Sequence, residues 1–111
     1  MEIRQITEDY SVAPQIGAGD IAAIKRAGFK SVISNRPDAE AGTVPHDAVE
    51  AAARAAGLEF SYIPVVSGAM TQADVDAQAR ALNELPKPVL AYCRSGARCT
   101  NLYMLVRQHY G

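Results

Sequence analysis

The sequence predicts one α/β domain of three layers, in which helices cover both faces of a mainly parallel sheet. Short apolar segments typical of strands alternate with amphipathic helical segments along the chain, and this alternation favours parallel strands joined by helical crossovers. The 111 residues suit a single hydrophobic core. No linker, internal repeat or low-complexity segment divides residues 1–111. Right-handed crossovers would bring the strand ends to one edge of the sheet.

Five segments are predicted as strands: residues 3–7, 10–13, 29–34, 58–66 and 89–92. The first two flank a turn at Glu8 and Asp9, and the fourth ends where Pro64 interrupts its hydrogen bonding. The last segment, Val-Leu-Ala-Tyr, is apolar enough to lie at the centre of the sheet.

Four segments are predicted as helices: residues 21–27, residues 46–56, a stretch that begins after Thr71, and residues from about 98 to 109. Asp20 is a good N-cap for the first helix, and Gly28 ends it. Thr71 and Asp74 have the spacing of a capping box. Residues 39–45 are predicted as a loop that acts as a mobile flap.

Composition and charge exclude several classes of function. The net charge is −1 with no long basic run, so nothing indicates nucleic-acid binding. No apolar segment reaches the ~18 residues of a membrane span, and the first residues do not resemble a signal peptide. The two cysteines form no disulfide scaffold, which favours the cytoplasm. Because the cysteines and histidines lack metal-ligand spacing, we expect neither a metal nor a cofactor.

The residues with the clearest chemical signal follow the last predicted strand. Cys93 ends that strand and a helix begins a few residues later, so unpaired backbone N–H groups and the positive helix end converge on its sulfur. This setting lowers the pKa of a cysteine from ~8.5 into the range of roughly 3.5–7.5. The segment therefore predicts a nucleophile in an anion-binding loop made of Arg94, Ser95, Gly96, Ala97 and Arg98.

Two further residues are candidates for roles at this site. Asp38 follows the predicted strand at residues 29–34, and its loop could place it over Cys93 as a general acid, although a turn-forming role after Pro37 is equally consistent. Cys99 is either a small residue packed in the first helical turn or a resolving thiol that forms a disulfide with Cys93.

Two chemistries fit a cysteine in such a loop. A cysteine phosphatase needs an arginine six positions after the cysteine to grip the phosphate, and an acid to protonate the leaving oxygen. Here Cys99 holds the sixth position and Arg98 the fifth, and one residue turns a side chain at a helix start by ~100°. Sulfur transfer through a persulfide needs the same cationic cradle without the acid.

The six residues of this loop, Cys-Arg-Ser-Gly-Ala-Arg, resemble the active loop of rhodanese-type sulfurtransferases. Over nearly the whole chain, the sequence is similar to the phosphatase-like domain (DUF442 type) of the beta-lactamase-hydrolase-like proteins. The segments that carry this second resemblance, in the same order, are residues 32–38, 51–58, 62–65 and 91–96. It implies a topology like that of the dual-specificity phosphatases, and phosphatase-like or sulfurtransferase roles. Some members are fused to a sulfur dioxygenase, which makes such an enzyme a candidate partner.

The chain departs from a working phosphatase at three positions. Tyr92 stands where a histidine usually precedes the cysteine, Cys99 replaces the phosphate-gripping arginine, and Ser67 replaces an aspartate. We therefore expect sulfur transfer through a Cys93 persulfide, from a small anionic donor such as thiosulfate or glutathione persulfide. The alternatives are phosphate-ester hydrolysis with Asp38 as the acid, and a catalytically silent anion- or redox-sensing module that uses Cys93 and Cys99.

Overall fold

The computed structural model describes residues 1–111 and contains one five-stranded sheet with helices on both faces. The strands are β1 (Arg4–Thr7), β2 (Tyr10–Ala13), β3 (Ser31–Ser34), β4 (Glu59–Tyr62) and β5 (Val89–Tyr92). The helices are α1 (Ile21–Arg26), α2 (His46–Ala55), α3 (Gln72–Glu84) and α4 (Ala97–Tyr110). The strand order is β1-β2-β5-β3-β4, with β1 antiparallel to β2 and the other three pairings parallel. The predicted fold class is confirmed.

β5 lies in the middle of the sheet because every one of its side chains is apolar. Leu90 and Tyr92 pack into the core on one face, with α1 and α2. Val89 and Ala91 pack on the other face, which α3 and α4 cover. Neighbouring β2 and β3 are also buried at all four positions, as expected for parallel strands with helices on both sides.

Two predicted strands are too long by at least two residues. β4 ends at Tyr62 rather than continuing to residue 66, because Pro64 has no N–H to donate to a neighbouring strand. Beyond Tyr62, the N–H groups of Ile63 and Val65 donate to the carbonyls of Ser34 and Asn35 at the end of β3. β3 begins at Ser31 rather than at residue 29. The turn before it passes through Gly28, whose positive φ of 100° lies outside the range of a strand.

The helix ends agree with the prediction at one position and differ at another. The capping box at α3 is present, with the Asp74 N–H donating to Thr71 Oγ1 at 3.2 Å and the Thr71 N–H donating to Asp74 Oδ2 at 2.9 Å. The Asp20 carboxylate does not cap α1. It accepts instead from the Gly17 N–H at 2.9 Å, because a 3₁₀ turn at Ala18–Asp20 precedes the helix. None of the helices has both the length and the apolar surface needed to cross a membrane.

Candidate active site

The loop at residues 93–98 is a tight junction between the central strand and α4. The Cys93 N–H donates to the Ala13 carbonyl on β2 at 3.3 Å, and the Gln15 N–H donates to the Arg94 carbonyl at 3.3 Å. Gly96 has φ = 91°, a left-handed conformation that strains any residue with a side chain. An added Cβ would only touch Ala13 at 3.5 Å, so the backbone angle rather than space requires glycine here.

The loop activates the Cys93 thiol. The pKa of Cys93 falls to about 5, chiefly because the Cys99 side chain hydrogen-bonds to the sulfur. Burial opposes the shift, and backbone N–H groups of Cys99, Ser95 and Gly96 reinforce it. The Gly96 N–H lies 3.1 Å from Cys93 Sγ. At neutral pH Cys93 is therefore a thiolate, the form that acts as a nucleophile.

Further backbone donors lie in the loop and at the start of α4. No backbone carbonyl accepts from the N–H groups of Arg94 or Ser95 in the loop, or from that of Arg98 in the first turn of the helix, where N–H groups have no partner within the helix. The helix also carries partial positive charge at this end. The predicted loop therefore has the donors that an anion needs, and the positively charged Arg94 side chain lies at its exposed rim.

The wall opposite the loop consists of the buried Arg36 and the Glu40 carboxylate, and Arg98 reaches from the loop to contact this carboxylate. Arg98 NH1 donates to Glu40 Oε2 at 2.8 Å and to the Val65 carbonyl at 2.9 Å. Arg36 Nε donates to Glu40 Oε1 at 2.9 Å, and its NH1 donates to Gln15 Oε1 at 2.9 Å. Burial opposes ionisation of Glu40, but the hydrogen bonds from Arg98 and Arg36 outweigh it and lower the pKa of that carboxyl.

A cavity of about 740 Å³ separates the loop from this wall. Its lining residues are Arg36, Glu40, Ala41, Val66, Ser67, Gly68, Met70, Cys93, Arg94, Ser95, Ala97, Arg98 and Asn101. Four of the five predicted loop residues, all but Gly96, therefore line one cavity with Cys93. Only 1% of the Cys93 surface is exposed, so the sulfur lies at the floor of this cavity.

The fold does not bring Asp38 to Cys93. Its carboxylate accepts from the His46 N–H at 2.9 Å and contacts His46 Nδ1 at 2.7 Å, at the start of α2. The bond from the His46 backbone is the largest cause of the lowered pKa of Asp38. Asp38 is absent from the cavity lining, because its segment is held by the helix start and by a bond from its own N–H to the Tyr62 hydroxyl at 2.9 Å.

Cys99 is fully buried beneath the loop rather than in the cavity wall. Burial is the largest cause of its raised pKa, and the Cys93 side chain adds to the shift. Cys99 is therefore a neutral thiol that packs in the same buried cluster as Cys93. Cys99 packs in the first turn of α4, as one of the two predicted alternatives has it. The other alternative, a resolving thiol that forms a disulfide with Cys93, stays a prediction, since both cysteines are free in this structure.

A buried polar network behind Cys99 was not predicted from the sequence. The Tyr10 hydroxyl donates to the Cys99 carbonyl at 2.9 Å, and Gln78 Nε2 donates to the Tyr10 hydroxyl at 3.3 Å. Asn35 Nδ2 then donates to Gln78 Oε1 at 2.9 Å. The available signal was Gln78 itself, a polar residue three positions after Val75 on the apolar face of α3.

The roles of Arg36 and Glu40 were also missed. The sequence placed the loop that contains Arg36 at the correct edge of the sheet, because it follows a parallel strand. It did not identify Arg36 as buried or Glu40 as the partner of two arginines. Glu40 lies 58 residues before Arg98 in the chain, and only the folded structure joins them.

The chain is similar in sequence to a known family of phosphatase-like domains. The family model for the phosphatase-like domain of beta-lactamase hydrolase-like protein matches residues 2–109. Beta-lactamase hydrolase-like proteins of Xylella fastidiosa (strain Temecula1) and Agrobacterium fabrum are 38% and 37% identical over 106 residues, which is 95% of this chain. That alignment covers 25% of either relative, so the chain spans about a quarter of their length.

Solved structures give the same result for the fold. A Neisseria meningitidis protein provisionally described as a phosphatase is 31% identical, with a TM-score of 0.87 over 96% of this chain and 77% of its own. The core catalytic domain of the PP-IP phosphatase SIW14 from S. cerevisiae is 13% identical and shares the fold alone, with a TM-score of 0.75 over 96% of this chain and 64% of its own. The chain belongs to the family of the phosphatase-like domain of the beta-lactamase hydrolase-like proteins.

Proposed function

We propose that this domain transfers sulfur through a persulfide on Cys93. The observation that carries the proposal is the Cys93 thiolate, whose pKa is about 5, in a loop with an arginine at the fifth position and a buried thiol at the sixth. The thiolate attacks the outer sulfur of a donor such as thiosulfate. The sulfur–sulfur bond of the donor breaks, sulfite leaves with the electron pair, and a Cys93 persulfide anion forms.

The charges around the cavity support this reaction. Sulfite leaves as an anion and needs no proton from the protein, unlike the alkoxide released from a phosphate ester. Hydrogen bonds from two arginines keep Glu40, the carboxylate in the cavity wall, ionised and therefore unable to act as an acid near neutral pH. A thiolate acceptor then takes the outer sulfur, which regenerates the Cys93 thiolate and produces a new persulfide. A persulfide-oxidising sulfur dioxygenase, which would consume that product, is a candidate partner.

Phosphate-ester hydrolysis is the second candidate, and similarity to known proteins favours it over sulfur transfer. The family is described as phosphatase-like, and the Neisseria relative carries a provisional description as a phosphatase. Cys93 would attack phosphorus, the ester oxygen would leave with a proton, and water would hydrolyse the cysteinyl phosphate. Asp38 would be the acid, which requires it to leave His46 and enter the cavity.

The two reactions are separated by the intact mass of the protein. Reduced protein is incubated with thiosulfate, its mass is taken without reductant, and released sulfite is measured. Sulfur transfer predicts a species heavier by one sulfur atom, with stoichiometric sulfite, in the wild type and not in Cys93→Ser. An unchanged mass, together with Cys93-dependent phosphate release from an aryl phosphate, would replace sulfur transfer by hydrolysis. Neither product, with reversible Cys93–Cys99 oxidation, would indicate a sensing module.

A further inference from the structure

The geometry points to Arg36 and Arg98 as the recognition site for the oxyanion group of the substrate, and to Glu40 as an internal carboxylate that this group must displace. The inference concerns the same cavity and rests on the proposed function, because Cys93 would accept sulfur from the anion bound there. Neither the sequence pattern nor the similarity to known proteins assigns a role to Arg36 or Glu40.

The first support is the way Glu40 is bound. Its Oε1 accepts from Arg36 Nε at 2.9 Å and from Arg98 NH2 at 3.3 Å, and its Oε2 accepts from Arg98 NH1 at 2.8 Å. Two oxygens on one centre are thus held by two guanidinium groups, which is also how arginines bind sulfonate, sulfate and phosphate. All three residues line the cavity that contains Cys93.

The second support is an unpaired donor on a largely buried arginine. The side chains of Arg36 and Arg98 are only 6% and 9% exposed. Arg98 Nε is buried and has no hydrogen-bond partner. Buried donors are nearly always paired in folded proteins, so this guanidinium has a donor left for a ligand.

The third support is that Glu40 is the member of the cluster free to move. It lies in residues 37–45, which belong to no helix or strand, and within that loop its backbone is held only by turn bonds with Pro37 and Thr43. Arg98 stands on α4 and is also bound to the Val65 carbonyl. Glu40 and Cys93 line the same cavity, so a ligand that displaces Glu40 would bind in the cavity that contains the sulfur.

The two contacts of Glu40 should make the cavity selective for anionic ligands over neutral ones. An anion with two oxygens on one centre can replace both contacts of Glu40, whereas a neutral ligand cannot. The competition weakens the apparent affinity for every oxyanion, because only the fraction of protein with Glu40 displaced can bind it. Removing the negative charge of Glu40 should therefore tighten oxyanion binding.

The test measures how sulfate protects Cys93 from alkylation by iodoacetamide, which requires neither sulfur nor phosphate transfer. In Glu40→Gln, we expect the sulfate concentration for half-protection to fall about tenfold below that of the wild type. Glu50→Gln is the matched control, since Glu50 pairs with Arg54 at the same 2.9 Å and is similarly exposed, but lies on α2 away from the cavity. Equal protection in the two variants would overturn the inference.

Hydrogen exchange of the wild-type protein gives a second test that does not depend on a variant folding. Saturating sulfate should speed exchange at the Thr43 N–H, which donates to the Glu40 carbonyl, and leave the α2 amides unchanged. Unchanged or slower exchange at Thr43 would contradict displacement of Glu40. Because both tests read anion binding alone, a failure of sulfur transfer in the mass experiment leaves their results interpretable.

Discussion

The two sides of the cavity are built in different ways. The loop at residues 93–98 is local, since the Gly96 N–H that contacts Cys93 Sγ is only three residues away and the rest of the loop is one strand–helix junction. The opposite wall is assembled over long distances, with Arg36 bound to Gln15 and Arg98 bound to Glu40 across 21 and 58 residues. The lowered pKa of Cys93 therefore depends on a short segment, whereas the proposed anion recognition depends on the whole fold.

Substitution of Arg98 tests the one residue that joins both sides. Arg98→Ala removes a charge from the cavity and leaves Glu40 with a single partner, so we expect the rate of persulfide formation to fall by about 10²-fold. Arg98→Lys should recover only part of this loss, because an ammonium group cannot make the paired contacts of a guanidinium. Stopped-flow kinetics with thiosulfate measures both. A loss of less than twofold in Arg98→Ala would show that the two sides work independently.

The buried network behind the loop should affect stability. Gln78→Leu removes the hydrogen bonds of Gln78 to the Tyr10 hydroxyl and to the Asn35 side chain and leaves the buried Asn35 Oδ1 without its donor, so the free energy of unfolding should fall by about 1–3 kcal/mol. The exposed Gln72, which bonds only to Asp76, serves as the control, and Gln72→Leu should stay within about 0.5 kcal/mol of the wild type. Urea unfolding measures both. Equal stabilities would mean that the network does not support the loop.

Cys99 distinguishes the side-chain contribution to thiolate activation from the backbone contribution. Cys99→Ala removes the thiol donor and retains the N–H groups, so the pKa of Cys93 should rise. Cys99→Ser retains a donor and should keep the pKa of Cys93 below that in Cys99→Ala. The pH dependence of Cys93 alkylation measures the two shifts. If both variants titrate as the wild type does, the backbone alone activates the thiolate.

Asp38 should have the smallest effect. It is bound to His46 and lies outside the cavity, so Asp38→Asn should change persulfide formation by less than about twofold. The same variant assayed with an aryl phosphate tests the other reaction. A loss of phosphate release on the order of 10²-fold would identify Asp38 as the acid of a hydrolase and would require its segment to move.

The nucleophile side could be predicted from sequence because its determinants are contiguous. A cysteine after an apolar strand, a glycine at the turn and a helix start indicate an activated thiolate without knowledge of any distant residue. Cys99 was named as a packed residue or a resolving thiol, and its effect on the pKa of Cys93 was not predicted. The wall formed by Arg36 and Glu40 could not be predicted, because residues 37–45 have no periodic pattern that fixes which side chain points inward.

The fold was predictable for a related reason. The alternation of strands and helices determined the layers, and the wholly apolar β5 indicated the centre of the sheet. The predictions that were wrong concern the ends of strands and helices, where one hydrogen bond made or lost decides at which residue the strand or helix stops. Pro64 ended β4 earlier than its apolar pattern suggested, and the 3₁₀ turn drew the Asp20 carboxylate away from α1.

The most direct test of the account is the pH dependence of the reaction of Cys93 with iodoacetamide. Activation by the loop predicts a midpoint near pH 5, with full reactivity at neutral pH, and no modification of this position in Cys93→Ser. A midpoint near the ordinary cysteine value of about 8.5 would contradict the central claim that the loop holds Cys93 as a thiolate nucleophile.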